Sequence, residues 1–254
     1  MNRLSVIIPS RNAENLAACV RAVRQYEPGL RIIVVDDRIN WDQYISLIPD
    51  MIQSITGNVV EGVRPFIFAR NVNLGIAAAG IDDVILLNDD ALLQTASGFT
   101  SMQQVAYAPW KETPGISQYG MLAAATNNVG NENQFKHAGV GLRDEPRMLC
   151  FVCVMIPRAT LNLVGMLDER YIGYGLDDDD DSLRVRRAGL KLGVYDGCFV
   201  DHSSLDSSYR GKNRAPGASG DFTPNMLRFI DKWGHDNRGH GRDTSAFKAL
   251  FTSA

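Results

Sequence analysis

Three apolar runs, each too short to be a helix, constrain this chain most: residues 4–9 (LSVIIP), 31–35 (RIIVV) and 83–87 (DVILL). Five or six residues rich in Ile and Val, with no polar alternation, suit a strand buried on both faces. Between the first two runs, Leu16, Cys19, Val20 and Val23 recur at helical spacing, and Ser10-Arg11-Asn12 supplies a turn and an N-cap. The spacing predicts a helix to about Gln25, stopped by Pro28-Gly29. Strand, helix, strand is a βαβ unit with a right-handed crossover. The chain therefore belongs to the α/β class, with a mostly parallel central sheet flanked by helices.

Further elements follow the same rules. Residues 42–53 read as a weaker helix, 69–80 as a loop leading into another, and 120–126 and 149–156 as strands, with a short helix over 157–164. Residues 191–195 and 198–201 form a pair about Asp196-Gly197, a hairpin signal. Residues 206–221, rich in Ser, Gly, Asn, Arg and Pro, read as a mobile lid carrying Arg210, Lys212 and Arg214, before an amphipathic helix over 222–233.

At 254 residues and 45% hydrophobic, the chain can bury a large core, and a net charge of −3 gives no basic footprint for nucleic acid. Four cysteines are too few and too unevenly placed for a disulfide framework, and Cys150 and Cys153 read as small hydrophobes on a strand. The N-terminus lacks the sections of a signal peptide, and no apolar stretch approaches the ~20 residues of a membrane span. A cytoplasmic protein is expected.

Acidic residues carry the functional signal. Two of the buried strands end in Asp36-Asp37 and Asn88-Asp89-Asp90, and the carboxyl ends of parallel strands line the ligand crevice of an open sheet. Five consecutive aspartates, Asp177 to Asp181, follow Gly173-Tyr174-Gly175-Leu176 and precede a helix expected over 182–188. Dipole and capping account for one or two carboxylates at a helix start, but not for five. Other chemistries are excluded by spacing: there is no P-loop, no complete GxGxxG and no GxSxG. Counted from Asp177 as an EF-hand, the sixth position is Ser182 and the twelfth Ala188, which fails. His202 follows the strand over 198–201, and Asp90 and His202 offer a carboxylate and an imidazole to a divalent cation.

Up to about residue 205 the sequence resembles a family 2 glycosyltransferase of the GT-A fold. Ser5 to Asn12 is similar to that family's opening strand and turn, and Val34-Val35-Asp36-Asp37 to its second strand. Residues 69–76 (ARNVNLGI) resemble its ARNxG segment, and Ile85 to Asp90 its DxD segment with Asn88 in place of the first aspartate. Gly165 to Tyr171 resembles GxFDE, and Gly175 to Arg184 aligns with GxEDxDxxxR when Arg184 is the anchor. Phe135-Lys136-His137-Ala138-Gly139 is faintly similar to a QHAG piece of rhamnosyltransferase-like members.

The resemblance implies an inverting, metal-dependent glycosyltransferase, single-domain in two halves (1–92 nucleotide-binding, 93–205 acceptor and catalytic), then a lid-like segment and C-terminal helix over 206–254. It implies Asp178 as base with Asp177 beside it. Pro9, Arg11, Asp37, Arg70, Asn73, Asn88 and Asp89 would bind the donor, and Asp90 and His202 would hold Mn²⁺ or Mg²⁺. The partners implied are a UDP-, dTDP- or GDP-sugar and a hydroxyl acceptor, whether glycan, lipid-linked glycan, protein or modified nucleobase. Two other classes stay open: a catalytically silent nucleotide- and metal-binding module of the same fold, and a nucleotidyltransferase.

Overall fold

The computed structural model describes residues 2–55, 57–108, 119–139, 141–172, 175–207 and 224–239. The expected βαβ start is there. β1 (Leu4–Ser10) leads through α1 (Ala13–Tyr26) to β2 (Arg31–Asp36), and the Asn12 side chain caps α1 by accepting from the Glu14 and Asn15 amides. α2 (Trp41–Leu47) is shorter than expected and passes into a 3₁₀ turn, because Pro49 drives Ile48 out of helical geometry. Then come β3 (Val59–Glu61), α3 (Phe68–Ala79), β4 (Asp83–Leu87), β5 (Leu92–Leu93) and α4 (Gly98–Ala106). The second half holds β6 (Tyr119–Thr126), β7 (Leu142–Glu145), β8 (Cys153–Ile156), α5 (Arg158–Val164), α6 (Asp177–Arg187), β9 (Lys191–Asp201) and α7 (Pro224–Trp233).

The strands make one sheet in the order β3-β2-β1-β4-β8-β6-β9-β5, with β7 pairing β9. β1, β2, β3 and β4 run parallel. β8 is antiparallel to both β4 and β6, so two reversals return β6 to the common direction, and β9 runs parallel to β6. β5 and β7 run against β9. The carboxyl ends of β1, β2, β4, β6 and β9 consequently lie along one edge of the sheet.

Apolar side chains alternate across it. Val6 and Ile8 join Leu16, Val20, Tyr44, Phe99 and Met102 in a core under α1, α2 and α4. Ile7 joins Val72, Ile76, Leu161 and Val185 under α3, α5 and α6. With both faces covered, the absence of polar alternation in the three strand runs has its cause. Gly75 lets α3 lie directly on the sheet, since a Cβ there would meet Ile7 Cγ2 at 2.3 Å.

Four expectations need correction. Residues 69–80 are helix rather than loop: Asn71 Oδ1 accepts from the Val63 amide in the loop before α3 and Asn73 Nδ2 donates to the Leu167 carbonyl, so neither competes for its own backbone. Cys150 precedes β8, which is shorter than the expected 149–156 strand. Asp196-Gly197 is no hairpin turn: β9 continues through it with a register shift, the Tyr195 ring covers Gly197, and Arg143 holds Asp196 at 2.7 and 3.0 Å. The helix expected over 182–188 begins at Asp177, so all five aspartates lie within it.

Candidate active site

The carboxyl edge gathers the acidic strand ends. β1 stops at Ser10, whose hydroxyl donates to Asp89 at 2.7 Å beyond β4. β2 ends at Asp36, which is used structurally, accepting from the Ile39 amide at 2.7 Å and Trp41 Nε1 at 2.9 Å. Asp37 next to it is buried. Burial raises its carboxyl above the usual range, while the guanidiniums of Arg11, Arg38 and Arg64 act the other way. Arg11 and Arg38 also line a polar cleft of about 270 Å³ with Asn12, Glu14, Asn40 and Gln43. Pro9 is buried within β1, opposite Val35. Asn88, partly exposed, donates its backbone N–H to the Val152 carbonyl at 3.0 Å.

Asp90 and His202, 112 residues apart, meet directly. His202 Nε2 lies 3.1 Å from Asp90 Oδ1, with both side chains buried. The ring's other nitrogen, Nδ1, lies 2.6 Å from the Asn128 carbonyl oxygen. A carbonyl only accepts, so Nδ1 carries the proton, and a neutral ring turns the lone pair of Nε2 toward a carboxylate. Two acceptors facing each other are stable only with a second proton on the ring or a cation shared between them. A nitrogen and an oxygen donor suit Mn²⁺, and a ligating histidine commonly donates its far N–H to a carbonyl in this way. Among the described residues no group of three or more His, Cys, Asp or Glu is placed to hold a metal.

Asn127 and Asn128, just past β6, fix the histidine. Asn127 Oδ1 accepts from the His202 amide at 2.9 Å, and Asn128 Nδ2 donates to the His202 carbonyl at 3.0 Å. Their only sequence signal is a polar pair after a strand.

α6 returns from this edge to the start of β9, so its N-terminus lies at the crevice. Leu176 enters it with φ +72°, a strained value for a non-glycine residue, and provides no side-chain cap. Helical periodicity then divides the aspartates. Positions 178, 182 and 186 share a face that meets the segment before β8: Ser182 Oγ accepts from the Leu149 amide at 3.1 Å, and Arg186 donates to the Arg147 carbonyl at 3.3 Å. The Cys150 thiol feels the charges of Asp178 and Asp179. Two residues on, Val152 binds Asn88, which joins this face to the end of β4. Asp178 is half-buried. Burial, then Asp179 and Asp177, raise its carboxyl well above the usual range, and burial lifts Asp177 to about 6. Asp180 and Asp181 pair with Arg184.

Arg70 and Asn73 reach the loop before α6. Arg70 pairs with Glu169 at 3.1 Å, and Asn73 bonds the Leu167 backbone in both directions and reaches Glu169 Oε1 at 3.0 Å. These two residues brace α3 against the loop before α6. Most of the expected lid, including Arg210, Lys212 and Arg214, lies outside the described residues.

The fold is similar to that of solved glycosyltransferases. A structure of GalNAc-T7 with UDP, GalNAc and Mn²⁺ matches 98% of this chain and 54% of its own, at 13% identity and TM-score 0.67. The mannosyltransferase PcManGT of Pyrobaculum calidifontis, with GDP-Man and Mn²⁺, matches 82% of this chain and 59% of its own, at 16% identity and TM-score 0.60. A Drosophila galactosyltransferase 7 with manganese, UDP-Gal and xylobiose matches 96% of this chain and 82% of its own, at 15% identity and TM-score 0.54. Among curated proteins, uncharacterized protein y4gI of Sinorhizobium fredii is 26% identical over 241 residues, covering 84% of this chain. The chain spans 25% of that relative's length and 54% of GalNAc-T7's. The fold is that of the GT-A class of glycosyltransferases. Residues 5–111, which carry Asp37 and Asp90, match the model of Glycosyl transferase family 2. No helix among the described residues is long and apolar enough to cross a membrane.

Proposed function

We propose that this chain moves a sugar from a UDP-, dTDP- or GDP-sugar to an acceptor hydroxyl with inversion at the anomeric carbon. The observation that carries the reading is the buried contact between Asp90 and His202, with the far ring nitrogen committed to the Asn128 carbonyl. A divalent cation at this pair would neutralise charge gathering on the leaving diphosphate. Asp178 takes the acceptor proton as the acceptor oxygen bonds to the anomeric carbon; a carboxyl raised above its usual range is the stronger base for that transfer. Asp37 accepts a hydrogen bond from a nucleobase N–H, and Arg11, whose charge acts on Asp37, lines the polar cleft with Arg38. The nucleotides, nucleotide sugars and manganese held by the similar structures support this class of donor and cofactor.

The test is a panel of UDP-, dTDP- and GDP-sugars with and without Mn²⁺, read by thermal stabilisation and release of the nucleoside diphosphate. One donor should raise the melting temperature only with metal present. Full donor binding and release in EDTA would refute the metal part of the reading.

A further inference from the structure

α7 and the residues just after it reach the entry and first turn of the aspartate helix. Asn225 grips the chain on both sides of the entry to α6, accepting from the Ile172 amide at 3.1 Å and donating to the Gly175 carbonyl at 2.8 Å. Phe229 packs in a small cluster with Tyr171 and the strained Leu176. Asp180, fully buried, receives Lys232 Nζ at 2.8 Å and Trp233 Nε1 at 2.8 Å, besides Tyr171 OH at 3.1 Å and Arg184 Nε at 3.2 Å. Beyond α7, Asn237 Nδ2 donates to Asp179 Oδ1 at 3.1 Å.

Such a pattern exceeds what packing needs. A buried carboxylate with four donors is held in one rotamer, and two of those donors come from α7. We propose that α7 is a positioning element for catalysis, in which Lys232 and Trp233 fix and neutralise Asp180 and so set the place and charge of the base one half-turn earlier. The inference rests on Asp178 as that base. Asp178 faces Asp177 and Asp179 on its own helix and the Cys150 thiol across from it. Asp179 is reached by Arg147 and Asn237, while Asp180 bears on both Asp177 and Asp179. Lys232 also pairs with Asp168 at 2.8 Å, so removing its charge leaves Asp180 sharing Arg184 with Asp181 and leaves Asp168 to Arg170, and the added negative potential makes the carboxylates at the start of α6 harder to ionise.

The test uses the full chain, saturating Mn²⁺ and the donor selected by the panel, with water as acceptor. In that reaction the bond from the anomeric carbon to the diphosphate breaks and its electron pair leaves with the diphosphate. The water oxygen bonds to the carbon, and its proton passes to Asp178. Lys232→Met should move the acid limb of the kcat profile up by about 0.5–1 pH unit and lower kcat, with donor KM within about two-fold. Lys232→Arg should restore the limb, and Trp233→Phe should move it in the same direction by less. Arg187→Met is the packing control: Arg187 lies over the Trp233 ring at 4.7 Å without touching Asp180, so it should lower melting temperature and leave the limb in place. An unmoved limb in both Lys232→Met and Trp233→Phe, or an equal shift in Arg187→Met, overturns the positioning role. Normal turnover by Asp178→Asn instead overturns the assignment of the base, and the two failures are separable.

Discussion

Asp181 should make the protein less stable as pH rises, and Asp181→Asn should remove that dependence. Its side chain is 1% exposed; Oδ1 accepts from Arg184 and Oδ2 has no hydrogen-bond partner among the described residues. Burial outweighs the pull of Arg184 and lifts the carboxyl from 3.8 to about 6. A folded-state value above the unfolded one means the native protein holds the proton more tightly. Stability from this group is therefore present below about pH 4 and lost as pH climbs through about 6. A rise of about two in pKa, at 1.36 kcal/mol for each tenfold change, corresponds to a loss of about 3 kcal/mol, roughly half of it between pH 5 and 8. The asparagine variant cannot titrate, so its stability relative to the parent should rise by ~1.5 kcal/mol across that interval. Urea unfolding of both proteins at pH 5, 6, 7 and 8 measures this. The diagnostic is the slope, because the amide also changes the bond to Arg184 by a pH-independent amount. Parallel curves would refute the burial argument, and a variant that loses ground as pH rises would mean that the Arg184 pair dominates.

Three further outcomes bear on the chemistry. Asp90→Ala and His202→Ala should each abolish Mn²⁺-dependent donor stabilisation while the apo melting temperature stays within a few degrees; calorimetric Mn²⁺ titration with nucleoside diphosphate present reads it directly. Asp37→Ala should weaken nucleoside diphosphate binding by about 1.5–3 kcal/mol, the worth of a hydrogen bond to a charged group, and an unchanged affinity would move the base pocket elsewhere. Asp178→Asn should lower transfer by about 10²–10⁴ with donor affinity retained, and Asp179→Asn should stay within a few-fold; collapse in Asp177→Asn alone would shift the base by one residue.

The fold could be read because its evidence is local. Residues 4–9, 31–35 and 83–87 needed no partner to declare themselves strands, and Asn12 capped its helix as its type predicts. Asp37, Asn88, Asp89, Asp90 and His202 were legible as strand-end residues, and the carboxyl edge collects them all. What escaped was set by distant contacts. Asn71 and Asn73 read as loop formers until Val63 and Leu167 supply their partners. Gly197 reads as a turn until the Tyr195 ring is seen lying over it. No local pattern in α7 announces that Lys232 and Trp233 end at Asp180.

The aspartate run itself shows why a row of identical side chains need not be redundant. On a helix, neighbouring residues point about 100° apart, so five in succession reach every side of the first turns. Asp178 takes the face toward residues 147–150, Asp179 meets Asn237, Asp180 meets α7, and Asp181 meets Arg184. Four acidic residues in the first turn are favoured by the helix dipole, and three arginines stand in the last. The dipole is worth at most about 2 kcal/mol per charge at a partly buried site, less than the about 3 kcal/mol that burial takes from Asp181 alone. A run that lowers stability at neutral pH is explained by what the charges hold in place. On this account Asp179, Asp180 and Asp181 are anchors that orient the helix through Asn237, Lys232 and Arg184.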